Sequence, residues 1–516
     1  MKPTPARTTR KLQNRILNSL LTVVLTIAGN PLLWKQQSAS AATGAYCRQS
    51  PEAIAQKENL RKAALTGNPQ GEKEYKDLLI QHAREVGNCR QRTWPRTQAI
   101  WLRLYPCDAK PGELNRILDD IVNKGYNEVY IEVFYDGQVL LPANNNPTAW
   151  PSIVRNAGPY ENVDLLAQAL AASRDRGLKA YAWLFTMNFG YTYSQRSDRQ
   201  DALARNGAGQ RTIDVVPDNE DLQDQLGESH AFHAFVDPYS PQARQDYAKL
   251  VDETLKRRPQ GVLFDYVRYL RGTGEASVAS GVKDLWIYGK ASQQVLLQRA
   301  KTDRGRELIK RFLAKGYITS NDLSEVNRLD GDRNSPLWQT VYSPATTASR
   351  EPTPVDRGGL LQQLWELSVA HAAQGVLDFL SLAVQPVKRK GLSAGAVFFA
   401  GGNNKIRDKG FDSRLQPWDQ FPTDIEWHPM AYAICGENNP SCIVSKLERV
   451  LSMAPAGTKI KPAIAGLWGA PLTNRPSLEV QMQAIRRAAP QIDAISHYSY
   501  GWQEIEATRS RKSCRL

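Results

Sequence analysis

Gln260–Arg271 reads QGVLFDYVRYLR, and the way its first half is taken decides the fold. Val262-Leu263-Phe264 is a continuous apolar run that stops at Asp265. In a parallel α/β protein such a run is a strand buried on both faces. A carboxylate at its C-terminal end stands where barrel enzymes keep their chemistry. Tyr266, Arg268 and Tyr269 follow, groups that with the Asp suit a polyhydroxylated ligand. The plainer reading makes Asp265 a turn cap or the structural partner of Arg268, and the stretch alone does not separate the two.

Working outward, strand-like and helix-like segments alternate from Gln98 onward, the pattern of βα units on a parallel sheet. Ala99–Tyr105, Glu128–Tyr135 and Leu178–Phe185 precede the Asp265 strand, with helical stripes at 114–122 and 162–176 between them and a third at 241–258. A long polar excursion, 188–234, exceeds an ordinary βα loop. Beyond Asp265, residues 272–355 break the rhythm as an insertion with helical pieces such as Ala291–Phe312. It resumes with a helix at 360–382 and strands at Ser393–Phe399, Ile425–Tyr432, Lys459–Ile464 and Ile492–Tyr498. Eight strands alternating with helices predict a (β/α)8 TIM barrel over 98–505, preceded by a helical segment over 42–97 and followed by a tail at 506–516.

Residues 1–41 read as an export signal: Lys2, Arg7, Arg10, Lys11 and Arg15, then an apolar core at 16–33, then Ala39-Ser40-Ala41. Cleavage there removes six cations and no acid, taking the formal net charge from +14 to +8. No other stretch is expected to span a bilayer, and a periplasmic or extracellular location follows. The six cysteines all lie after the signal, an even count that suits disulfides in an oxidising compartment. Cys435 and Cys442 flank the turn-rich GENNPS and are expected to pair; the other four are expected to staple the N-terminal segment and C-terminal tail to the body. No C-x-x-C spacing exists and the His are scattered, so neither a metal nor another cofactor is expected. No basic stripe with interleaved aromatics points to nucleic acid.

Strand ends carry groups suited to sugar chemistry: Glu132 and Asp136 on the second, Asp265 on the fourth, Glu426, His428 and Tyr432 on the sixth, Tyr498 on the eighth. Glycosidic cleavage uses two carboxyl groups across the bond, one donating a proton and the other attacking or activating water. Aromatic rings stack on sugar faces, and the chain has 12 Trp and 20 Tyr.

The ordered segments AIWLRLY, GYNEVYIEVFYDGQVLLP, VDLLAQALAASRDRGLKAYAWL, FVDPYSPQARQDYAKLVDETL, GVLFDYVRY, GFDSRLQPWDQFPTDIEWHPMAY and IDAISHYSYGW span 98–502. Together they resemble the bacterial glycosyl-hydrolase-like proteins distantly related to family-ten glycosidases. The resemblance implies an exported (β/α)8 glycoside hydrolase acting on an envelope or extracellular polysaccharide, with peptidoglycan glycan strands as a candidate. It makes Asp265 the catalytic nucleophile or base, with Glu132 or Glu426 as partner acid. Arg103, Asp136, Arg268, His428, Tyr432, Tyr498 and Trp502 would bind the sugar. Two positions depart from the family pattern: Tyr266 stands where many members carry a second Asp, and Met430 replaces a Gln. Strand five, SAGAVFFA, offers no carboxylate. The alternative expectation is therefore a barrel without turnover that binds glycan. A metal-dependent deacetylase would need a clustered Asp/His set that the sequence does not assemble.

Overall fold

The computed structural model describes residues 42–43, 46–135, 137–215, 233–329, 335–339, 357–432 and 434–514. The expected export signal and Asp136 lie outside the described residues.

Helices α1 (Pro51–Leu65) and α2 (Pro69–Arg92) form the N-terminal hairpin. Ser50 and Asn68 cap them through their side chains, each with Pro in the first turn, where the missing N–H has no intrahelical partner to lose. Cys47–Cys89 ties the chain before α1 to the end of α2, so it closes within the N-terminal segment rather than stapling it to the body as expected. Buried Arg90 reaches across to the carbonyls of Gly125 (2.9 Å) and Pro95 (3.1 Å) and locks the hairpin to the body.

Eight strands close into a ring: β1 (Thr97–Leu102), β2 (Glu128–Tyr135), β3 (Lys179–Phe185), β4 (Gly261–Asp265), β5 (Ser393–Phe399), β6 (Glu426–Met430), β7 and β8 (Ala494–Tyr498). Each pairs in parallel with the next, and β8 pairs back onto β1. Strand β7 comes in two pieces, Lys459–Ile460 and Ala463–Ala465, because Pro462 has no N–H to give the ladder. The (β/α)8 TIM barrel expected from the sequence is the fold observed.

Helices α3 (Glu113–Asn123), α4 (Leu165–Asp175) and α5 (Pro241–Lys256) follow the first three strands. The insertion after β4 holds α6 (Lys290–Gln298), α7 (Asp303–Lys315) and α8 (Ser320–Val326). The helix expected over Ala291–Phe312 is therefore two, divided where Thr302 Oγ1 accepts from Gly305 N and caps α7. Helix α9 (Arg357–Arg389) meets the length and apolarity of a membrane span, which corrects the expectation that no other stretch would. Its apolar window is 72% buried within the protein, as befits the core helix between β4 and β5.

No α-helix joins β5 to β6. Trp418, fully buried, stacks on Phe398 at 4.9 Å and meets Trp427 at 5.8 Å, so one indole covers the sheet there. Helices α10 (Ser441–Met453) and α11 (Leu478–Ala488) complete the next two units. The segment expected as a tail forms α12 (Ile505–Ser513), pinned to the β1 loop by Cys107–Cys514. Cys435–Cys442 forms as expected. Three disulfides mark a chain that folds under oxidising conditions.

Candidate active site

Strand pairing fixes which inward side chains share a level. The register shifts round the ring with the shear of about 8 that an eight-stranded barrel carries. Glu132 of β2, Asp265 of β4, Met430 of β6 and Tyr498 of β8 thereby form one layer at the C-terminal mouth, contributed by alternate strands. Trp101, Trp183, Val397 and Ala463 lie beneath it, and Tyr130, Leu263, His428 and Ser496 below those. The contacts agree: Trp101 lies edge-on to Trp183 at 4.7 Å and donates to Ser496 Oγ at 3.0 Å, and Tyr130 meets His428 at 5.6 Å. Gly395 of β5 belongs to the layer under His428; a Cβ there would meet Leu263 Cδ2 at 2.7 Å and the His428 ring at 2.9 Å.

Asp265 ends β4 at this mouth and is 7% exposed. Trp183 Nε1 donates to its Oδ2 at 3.1 Å and the Tyr266 N–H to its Oδ1 at 2.7 Å, which fixes both oxygens. Burial raises its pKa to about 6, against the opposing pull of the Tyr266 N–H, Arg268 and Trp183. Tyr266 sits at φ +52°, a left-handed conformation unfavourable for a bulky side chain, and strain of this kind gathers at functional sites.

Glu132, in the same layer, forms an ion pair with Arg103 that engages both carboxylate oxygens, one of them to Nη2 at 3.2 Å; its side chain has no exposure. Arg268 lies over Tyr266 (4.7 Å) and Phe399 (5.5 Å) and lowers the Asp265 pKa, so it belongs to the mouth. Tyr432 meets Tyr498 at 5.5 Å, and the Asp265 charge helps raise its pKa, second to its burial. Asp265, Glu132, Arg103, Arg268, Tyr432 and Tyr498 are thus brought to one end of the barrel. Where β5 lacks a carboxylate, Phe399 stands instead, with Arg414 stacked on it at 4.6 Å.

Three expected site residues are elsewhere. Glu426 begins β6 at the opposite, N-terminal end, level with Glu128. It pairs with Lys461 (3.1 Å), accepts from Tyr181 (3.1 Å) and contacts His428 (3.3 Å). Its pKa is lowered, the pull of His428 and Lys461 outweighing burial, so it is no partner for Asp265. His428 is fully buried beneath the tryptophan layer, out of reach of a ligand at the mouth. Trp502 is 1% exposed and supports Tyr498 from behind at 5.7 Å. For Glu426 and His428 the strand had been taken to present its groups at the mouth, whereas register sends β6's first half to the barrel floor; Trp502 lies past β8, in the short helix Tyr500–Gln503. Among the described residues no group of three His, Cys, Asp or Glu is placed to hold a metal ion.

Sequence reasoning missed Trp183, Tyr105, Arg475 and Arg511. Trp183 was reachable, because alternation from Tyr181 along β3 turns it inward two residues before the strand end. Arg475 lies over Trp502 at 5.4 Å, and Arg511 over Tyr105 at 5.2 Å. Both arrive from outside the barrel strands, and no local pattern marked them.

No family model and no curated protein matches the chain. Among solved structures it is similar to the PgaB (BpsB) glycoside hydrolase domain from Bordetella bronchiseptica, at 13% identity and TM-score 0.44, covering 81% of this chain and 99% of that one. A GH20 exo-β-N-acetylglucosaminidase from Vibrio harveyi gives 8% identity and TM-score 0.40, over 83% of this chain and 59% of that one. A GH18 chitinase from Pseudoalteromonas aurantia gives 9% and 0.32, over 80% and 99%. These structural neighbours are glycoside hydrolases, but likeness at this level says nothing of this chain's chemistry, which rests on its own residues.

Proposed function

We propose that the protein is an exported glycoside hydrolase acting on an envelope or extracellular polysaccharide, with peptidoglycan glycan strands as a candidate substrate. The finer affiliation with relatives of family-ten glycosidases is the reading of the segment order. One observation carries the proposal: a carboxyl with a pKa raised to about 6 stands at the mouth of a closed barrel, in one layer with a second carboxylate held in an ion pair. Two carboxyl groups in different surroundings, one desolvated and one paired with a guanidinium, are what acid–base division of labour needs.

This reverses the roles the sequence suggested. Asp265 keeps its proton to higher pH than an ordinary carboxyl and is the better donor to a glycosidic oxygen. Glu132, held on both oxygens by Arg103, takes the part of nucleophile or base. Trp183 orients the Asp265 carboxyl, Tyr498 stands in the same layer, and Arg268 and Tyr432 interact with the Asp265 charge. The test is hydrolysis of purified glycan by wild type and Asp265→Asn: a loss of about 10²–10⁴-fold supports general acid catalysis, and equal product formation overturns it.

The second reading, a glycan-binding barrel without turnover, draws on the complete burial of the Glu132 side chain and on Phe399 standing where β5 lacks an acid. Tight glycan binding with no product after prolonged incubation would favour it.

A further inference from the structure

Next to Trp183 and Arg103, the partners of Asp265 and Glu132, lies a narrow recess lined by Arg103, Tyr105, Trp183, Tyr498, Thr508 and Arg511. Thr508 and Arg511 come from α12, outside the eight strands. Arg511 is nearly buried, at 6% exposure. Its Nε and Nη2 bind Asp108 at 2.7 and 2.6 Å, and Nη2 also donates to the Arg103 carbonyl at 2.9 Å. Its Nη1 is buried and has no hydrogen-bond partner; neither has the hydroxyl of Thr508, a residue 1% exposed one helical turn earlier. A buried donor left unmade costs about 1–3 kcal/mol. Two such groups on one wall of a recess that also takes in Trp183 and Arg103, the partners of the candidate catalytic carboxyls, are best explained by a ligand that completes them.

The charge balance says what kind of group that is. Arg511 is neutralised by Asp108, and Arg103 by Glu132. An anion entering here would meet no uncompensated cation and would lie close to two buried carboxylates, whereas an uncharged acceptor oxygen needs only the spare N–H and O–H. Trp183, Tyr105 and Tyr498 give the rest of the recess aromatic walls for the carbon part of a substituent.

We propose that this recess is a specificity subsite, taking an uncharged oxygen-bearing substituent of the sugar bound at Asp265, with Arg511 Nη1 and Thr508 Oγ1 as its donors. The inference rests on the glycosidase reading and narrows its substrate class to neutral glycans, in which the accepting oxygen belongs to a hydroxyl or to an acetamido group. Cys514, three residues beyond Arg511, is tied to Cys107 beside Asp108, so the disulfide holds the donor wall in place.

The test measures binding, on the Asp265→Asn protein, of three linear hexasaccharides: glucose, N-acetylglucosamine and galacturonic acid oligomers. A neutral oligomer is expected to bind and the galacturonate to bind more weakly; preference for the N-acetylated oligomer identifies the acetamido source, and equal affinity the hydroxyl. Thr508→Val, which keeps the side chain's shape and gives up no existing hydrogen bond, should weaken that binding about fivefold with Tm unchanged or raised. Thr508→Ser should restore it. Tighter binding of the galacturonate oligomer, binding of none of the three, or indifference to Thr508→Val would overturn the subsite, the last leaving only a trapped water. Subsite and catalysis fail separately. A Thr508 effect without any product in wild type would sink the hydrolase and keep the subsite, and hydrolysis indifferent to Thr508 would do the reverse.

Discussion

At the residue scale the balance of effects at Asp265 is open to measurement. Burial raises its folded-state pKa to about 6, so the folded chain holds this proton more tightly than the unfolded chain. The favourable contribution is full below the ordinary carboxylate range near pH 4, fades as pH rises toward 6, and above that an ionised buried group remains, at about 3 kcal/mol. Asp265→Asn removes that burden but turns an amide N–H₂ toward one of two fixed donors, Trp183 Nε1 or the Tyr266 N–H, which returns about 1–2 kcal/mol. The expected outcome is a variant about 1 kcal/mol more stable than wild type at pH 8, with the advantage gone at about pH 4; chemical denaturation at both pH values checks it. Trp183→Phe keeps an aromatic ring in the layer and loses one hydrogen bond to Asp265, and should lower kcat measured at saturating glycan. The place of Asp265 at a strand end was legible because an apolar run buried on both faces ends in a charge at the strand's edge. Its pairing with Trp183, on a neighbouring strand, depends on register, which no single stretch carries.

At the element scale the eight strands were legible in the sequence because each is a short apolar run bounded by turn residues, buried from both sides. The depth of β6 was misread. The run Ile425–Tyr432 carries its acid at the N-terminal end, which in a parallel barrel is the floor; Tyr432 follows the strand at the mouth, and the pairing with β5 puts Glu426 on the floor. There Glu426 joins Glu128, Lys461 and Tyr181 in a buried polar plug. Glu426→Gln should therefore cost about 1–3 kcal/mol of stability, because Lys461 keeps Glu128 as partner. Glycan affinity should stay the same; a thermal melt beside a binding isotherm separates the two. The insertion resisted reading for a different reason. Its helices α6 to α8 are short and their caps, such as Thr302, lie inside what composition alone presents as one helical stretch.

At the scale of the whole molecule, the C-terminal segment is stapled to the body as expected, but as a helix rather than a tail. Nothing in KSCRL marks a structural role except Cys514, whose partner lies 407 residues away. That bond, with the Arg511–Asp108 pair, makes α12 a wall of the mouth rather than a tail. Replacing Cys107 and Cys514 together by Ser should destabilise the fold by about 2–4 kcal/mol and weaken glycan binding more than the Cys435→Ser/Cys442→Ser pair does, since that loop is closed on itself over a separation of 7 residues. Calorimetric Tm and affinity on the same samples decide the matter.

The proton-donor role of Asp265 is tested most directly by kcat/KM on a hydrolysed glycan between about pH 4 and 8 in wild type, with Asp265→Asn as control. The expected profile falls about tenfold per pH unit above a pKa near 6, and the fall is absent from the residual rate of the variant. A rate that rises through pH 6, or a variant that retains the wild-type profile, would contradict it.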